Sequence, residues 1–196
     1  MMRRAKSTSI IATLLGAGLG FLAWSQTWFT IELVPGAWSE TTHAVAGEVA
    51  SPALAALSLT GLALAAALGI AGPGIRVVLA VLEALLGACM VLASALSLAD
   101  PLGSVARVVT DATGVAGSGT AELVDSLAPT FWPIVGIFAG AVLVAVGVFV
   151  LVTSKRWPAA SRKYRAVRLE GERPAGNARD RAVDDWDELT RGDDPT

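Results

Sequence analysis

The chain has little of what soluble enzymes are built from. Of its 196 residues, 16% are charged, one is cysteine and one is histidine. A lone cysteine, Cys89, can neither close an intramolecular disulfide nor supply a cysteine-based zinc site. The lone histidine, His43, has only acidic loop residues for company, and solvation rather than metal binding is expected of it. No nucleophile–base pair, metal cluster or phosphate loop is present. Gly16-Ala17-Gly18-Leu19-Gly20 is glycine-rich but follows no strand and lies inside an apolar run, so it is not a nucleotide loop. The sequence therefore predicts no catalytic residues, no cofactor and no metal, and a protein that is not an enzyme.

Charge is missing most completely from four apolar runs: residues 10–28, 53–71, 77–98 and 132–152. Each is close to the ~20 residues that a helix needs to cross a hydrocarbon layer of ~30 Å. The hydrophobic fraction is 54% and the mean hydropathy +0.60. The expectation is an all-α membrane protein: a four-transmembrane-helix bundle over residues 1–153, with a largely disordered cytoplasmic tail over 154–196. The basic start, with Arg3, Arg4 and Lys6, resembles a signal peptide, but Phe21-Leu22-Ala23-Trp24 offers no small-residue cleavage site, so the first helix is expected to be retained.

Basic residues orient the spans. Fourteen of the 15 Lys and Arg lie before the first run, between the second and third, or after the fourth; Arg107 alone lies on the other side. The positive-inside rule places both termini in the cytoplasm of a cell whose plasma membrane holds the protein. The connections at 29–52 and 99–131 then face outward, and both are too short for large domains. Gly72-Pro73-Gly74 predicts a tight turn and an antiparallel hairpin of the second and third helices. Trp24, Trp28, Trp132 and Trp157 sit near the ends of runs and are expected to anchor at the membrane interface.

Gly16 with Gly20 and Gly136 with Gly140 remove bulk from one face of a helix at four-residue spacing, which lets backbones approach. Packing within the bundle is the simpler use of these faces; a second copy of the chain is the other. In the third run Glu83, Gly87, Met90, Ser94 and Ser97 share one helical face, while Leu82, Leu85 and Leu92 lie away from it. That stripe is predicted to face the bundle interior. Glu83 is the one ionisable residue well inside a run, and no cation lies at its depth. It is expected to carry its proton, or to be reached by water from the Arg76 side. Two roles stand open: a proton-linked or substrate-binding acid, and a protonated acid hydrogen-bonded to a neighbouring helix through Thr13.

The tail is charge-segregated. Lys155, Arg156, Arg162, Lys163 and Arg165 follow the last span, where anionic lipid headgroups attract such residues at about 1 kcal/mol each. Membrane proximity explains this patch, so nucleic acid is not expected as a partner. Further on, Ala182, Trp186 and Leu189 fall at helical spacing in an acidic segment, which suits a short helix docking a protein partner through residues 180–196, or Trp186 folding back on the cytoplasmic ends of the bundle.

Several local patterns together resemble one family: Trp24-Ser25-Gln26-Thr27-Trp28, Phe131-Trp132-Pro133, Arg156-Trp157-Pro158, Trp186-Asp187-Glu188-Leu189, and the terminal Gly192-Asp193-Asp194-Pro195-Thr196. In this order they resemble the actinobacterial tryptophan-associated transmembrane proteins. The resemblance implies a membrane protein linked to tryptophan metabolism and assigns no catalytic residues. The leading expectation is a non-enzymatic accessory or scaffold whose acidic tail docks a partner. The alternative is a small carrier, or transporter component, for tryptophan or a related aromatic metabolite, with Glu83 as its coupling residue.

Overall fold

A computed structural model describes residues 2–34, 42–117 and 119–153, with side chains from Lys6 onward. The candidate tail residues Lys155, Arg156, Arg162, Lys163, Arg165, Trp186 and Leu189 lie outside the described residues, as does Trp157. Helix α1 (Met2–Trp24) leads into strands β1 (Thr27–Leu33) and β2 (Thr42–Ala46) and the single turn α2 (Gly47–Ala50). Helices α3 (Ala53–Ile70) and α4 (Pro73–Ala99) form the hairpin, followed by α5 (Pro101–Thr113), the short α6 (Gly119–Glu122), β3 (Val124–Pro129) and α7 (Trp132–Thr153). Helices α1, α3, α4 and α7 are each long and apolar enough to cross a membrane. The mostly helical, four-span architecture is thus present, and a small sheet is added to it.

Local chemistry accounts for the hairpin and its length. Gly72 precedes the first turn of α4 in an extended conformation and Pro73 occupies that turn, where a missing N–H costs nothing. At 27 residues, α4 is about 40 Å long, so its ends reach past the hydrocarbon. Its buried side is Arg76, Ala80, Glu83, Gly87, Met90, Ser94 and Ser97, the expected stripe extended toward the hairpin. Leu82, Leu85 and Leu92 are exposed on the opposite side, where lipid would cover them.

Small residues set the helix spacing. A Cβ built on Gly87 would stand 2.5 Å from the Gly140 carbonyl oxygen, and one on Gly140 would stand 2.7 Å from the Gly87 carbonyl oxygen. Gly147 meets the Ala80 and Ala84 backbone in the same way, so α4 and α7 touch backbone to backbone. Gly20 leaves room for the tip of Met90 and for Ser58, and Gly136 for Ser94. The glycine faces are spent inside one copy of the chain. Lipid supplies no hydrophobic drive for association, so this close contact is what holds the bundle.

The first span ends earlier than the apolar run. The chain turns at Ser25 and Gln26, and Trp28 belongs to β1, not to a membrane-interface anchor: it is fully buried. β1 is the middle strand of an antiparallel sheet ordered β2-β1-β3. Phe29, Ile31 and Leu33 alternate onto its buried face, while a register shift between Thr27 and Phe29 leaves Trp28 as an extra residue. Such a bulge re-aims a side chain; here the indole enters the core and its Nε1–H donates to the Ala23 carbonyl at 2.7 Å. Gly47 makes this fit possible, since a Cβ there would lie 2.6 Å from that same nitrogen.

The two long connections, between α1 and α3 and between α4 and α7, therefore build a cap, not loose loops. α5 opens on Asp100, whose Oδ1 accepts from the Gly103 N–H at 3.0 Å, and closes on Gly114 at φ +73°. Its Val105, Val109 and Ala112, one face at i, i+4, i+7, are buried with Phe29, Ile31, Leu33 and Val45 of the sheet. Leu54, Met90, Ala139 and Leu143 continue the same core into the bundle.

Candidate functional site

The only described carboxylate inside the spans is Glu83, and α1 supplies its partner. Thr13 lies on the α1 face turned to α4, one helical turn from Ser9. Glu83, Thr13 and Ser9 are all buried, with Glu83 and Thr13 wholly inaccessible. Thr13 Oγ1 stands 2.6 Å from Glu83 Oε1 and 2.9 Å from the Ser9 carbonyl oxygen.

Proton accounting follows from that pair of distances. A hydroxyl has one proton and cannot donate to both acceptors. If Glu83 is protonated, its O–H donates to Thr13 Oγ1, Thr13 donates to Ser9, and both contacts are hydrogen bonds. If Glu83 is ionised, only one of them can be. Glu83 Oε2 has no hydrogen-bond partner among the described residues. An unpaired carbonyl oxygen costs far less than an unpaired buried charge. The Thr13 contact anticipated from sequence is thus present, and its geometry suits the neutral acid.

One prediction tests this cluster. Glu83→Gln offers an amide N–H to Thr13 where the acid offers O–H, so thermal stability in detergent should change by less than about 1 kcal/mol. Thr13→Val strands the acid and should cost about 1–3 kcal/mol. A large loss with Gln and none with Val would contradict the neutral-acid arrangement.

Below this cluster, toward the hairpin, two cations reach the C-terminal end of α3. Lys6 Nζ donates to the Gly69 carbonyl at 2.6 Å and the Arg76 guanidinium to the Ala71 carbonyl at 3.1 Å. The last carbonyls of a helix have no partners within it and carry the negative end of its dipole, so cations there are stabilising. In the sequence, Lys6 and Arg76 mark topology and the side from which water could reach Glu83, and not the end of α3. Arg76, just past Gly72-Pro73-Gly74, carries a local sign of this capping role; Lys6, on α1, carries none. His43 stands in β2 across from Ile31 of the sheet.

Four membrane-spanning helices, a buried polar contact between two of them and a small sheet over one end define a polytopic membrane protein. The chain belongs to the tryptophan-associated transmembrane protein family, whose profile matches residues 10–196. The match includes both the bundle and the acidic segment around Trp186. Among curated proteins, none matches the chain.

Proposed function

We propose that this protein is a non-enzymatic accessory or scaffold of tryptophan metabolism, set in the plasma membrane with both termini in the cytoplasm. The observation that carries this reading is the backbone-to-backbone closure of α4 on α7 at Gly87, Gly140 and Gly147. Packing of that kind suits a fixed support better than helices that must part to pass a substrate. The distribution of basic residues supports the orientation, and the family description supports the link to tryptophan. On this reading the working parts are the basic segment at Lys155, Arg156, Arg162, Lys163 and Arg165, which holds lipid headgroups, and the acidic segment 180–196, which docks a protein through Trp186 and Leu189.

The test is a chain ending at residue 179. It should insert and melt as the full chain does, and proteins that co-purify with the full chain should be lost. Trp186→Ala in the full chain should weaken the same capture about tenfold or more, the cost of truncating a tryptophan anchor. Unchanged partners after truncation would overturn the docking role.

A second reading has its own observation. Glu83 is fully buried with one oxygen unpartnered among the described residues, and acids in membranes often serve ion or substrate paths. A carrier component for tryptophan or a related aromatic metabolite would use it for coupling, and Glu83→Gln separates the two readings.

A further inference from the structure

Two cavities meet where α4 runs into α5. The first, about 600 Å³, lies between α2 and the α4–α5 corner, with Ser97, Asp100, Ser104 and Arg107 on its polar wall. The second, about 420 Å³, lies between the start of α3 and the end of α4, walled by Ala53, Ala56 and Leu57 against Cys89 and Leu92. Ala93 and Leu96 line both, so the two adjoin across these side chains. A polar cavity at the end of α4 thus stands beside an apolar groove along the exposed side of the α3–α4 hairpin. The first volume alone lies within the ~300–1,000 Å³ of small-molecule sites.

The polar wall is selective about what is left to bind. Ser97 Oγ donates to Ser104 Oγ at 3.0 Å, and Ser104 reaches the Asp100 carbonyl at 3.0 Å, so the serines are engaged with one another and the backbone. Asp100 Oδ1 caps α5. Asp100 Oδ2 and the whole Arg107 guanidinium make no hydrogen bond or ion pair among the described residues. Among the described residues, a carboxylate oxygen at the cap of α5 and a cation about two helical turns along it are thus left without partners, beside an apolar groove.

We propose that this cleft binds a membrane lipid with a zwitterionic aminophosphate head: phosphate on Arg107, ammonium on Asp100, and one acyl chain in the groove past Leu92 and Cys89. A purely anionic head would answer Arg107 but meet Asp100 as a like charge. A neutral head would answer neither. The aminophospholipid satisfies both groups and the apolar groove together.

Cys89 is exposed in that groove and is the only cysteine of the chain, which makes it the reporter. The full-length protein in dodecyl maltoside is alkylated with N-ethylmaleimide in the presence of phosphatidylethanolamine, phosphatidylglycerol or diacylglycerol. Phosphatidylethanolamine should slow alkylation at the lowest concentration, about fivefold below phosphatidylglycerol, the factor of one partly exposed charge contact. Diacylglycerol should protect least. Asp100→Asn keeps a cap oxygen for Gly103 but removes the charge, so it should abolish the preference for ethanolamine. Arg107→Gln should weaken protection by both phospholipids. Equal protection by all three lipids, a preference for glycerol, no protection at all, or a preference that survives Asp100→Asn would each overturn the proposal.

Discussion

Gly87→Val should unfold the membrane bundle or cost at least about 3 kcal/mol, while Gly18→Ala should add about 0.5–1 kcal/mol of stability. Both residues are helical glycines, and only their surroundings differ. A Cβ on Gly87 would meet the Gly140 carbonyl oxygen at 2.5 Å and the Val144 nitrogen at 2.7 Å. Those are backbone atoms on another helix and cannot rotate away. A Cβ on Gly18 would meet nothing within 4 Å, so alanine there only removes the backbone entropy that glycine loses in a helix. Gly140→Val should fail as Gly87→Val does. Thermal unfolding in detergent, read by tryptophan fluorescence, would check the contrast. Equal melting of Gly87→Val and Gly18→Ala would mean that α4 and α7 do not touch as described.

Trp28→Ala should be the second large loss, about 3–5 kcal/mol, as expected for emptying a buried tryptophan site. The indole joins three parts of the structure: the bulge in β1, the end of α1 through Ala23, and the turn at Gly47. Trp28→Phe keeps most of the volume and removes the N–H donor, so it should cost about 1–2 kcal/mol. The effect should fall on the cap: amide exchange should rise in β1, β2 and β3 and less in the middle of α7. A tryptophan serving only as an interface anchor would give a small loss in both variants, with no change in the cap.

The four spans and the inward stripe of α4 were legible because each rests on a local period. Apolar length marks the spans, and the 3.6-residue repeat collects Glu83, Gly87, Met90, Ser94 and Ser97 on one face. The glycine spacing announced close packing, and the contacts of Gly20, Gly136 and Gly140 supply the partners it lacked. The cap was not legible in the same way. Its sheet pairs Glu32 with Ser126, and no local pattern links residues so far apart. Trp28 extends the first apolar run in composition, so the run conceals where helix ends and strand begins. The alternation of Phe29, Ile31 and Leu33 and the Asp100-Pro101 to Gly114 frame of α5 were both readable signals. Neither signal is carried by the length or charge of the connections. In the Glu83 site, depth and the Thr13 partner could be reasoned from spacing, whereas the double use of the Thr13 hydroxyl required coordinates.

Lys6 and Arg76 each serve two purposes. As charges beside spans they bias insertion; as donors to Gly69 and Ala71 they satisfy the end of α3. Both uses put them at the hairpin end of the bundle.

The most direct test of a packed support against a carrier is labelled tryptophan flux in cells lacking the protein, restored with the native chain or with Glu83→Gln at equal membrane abundance. A packed support that passes no substrate gives the same flux from both chains, because glutamine reproduces the Thr13 hydrogen bond. A severalfold fall with Glu83→Gln, in a protein that melts as the native one does, would contradict it and assign the buried acid to transport.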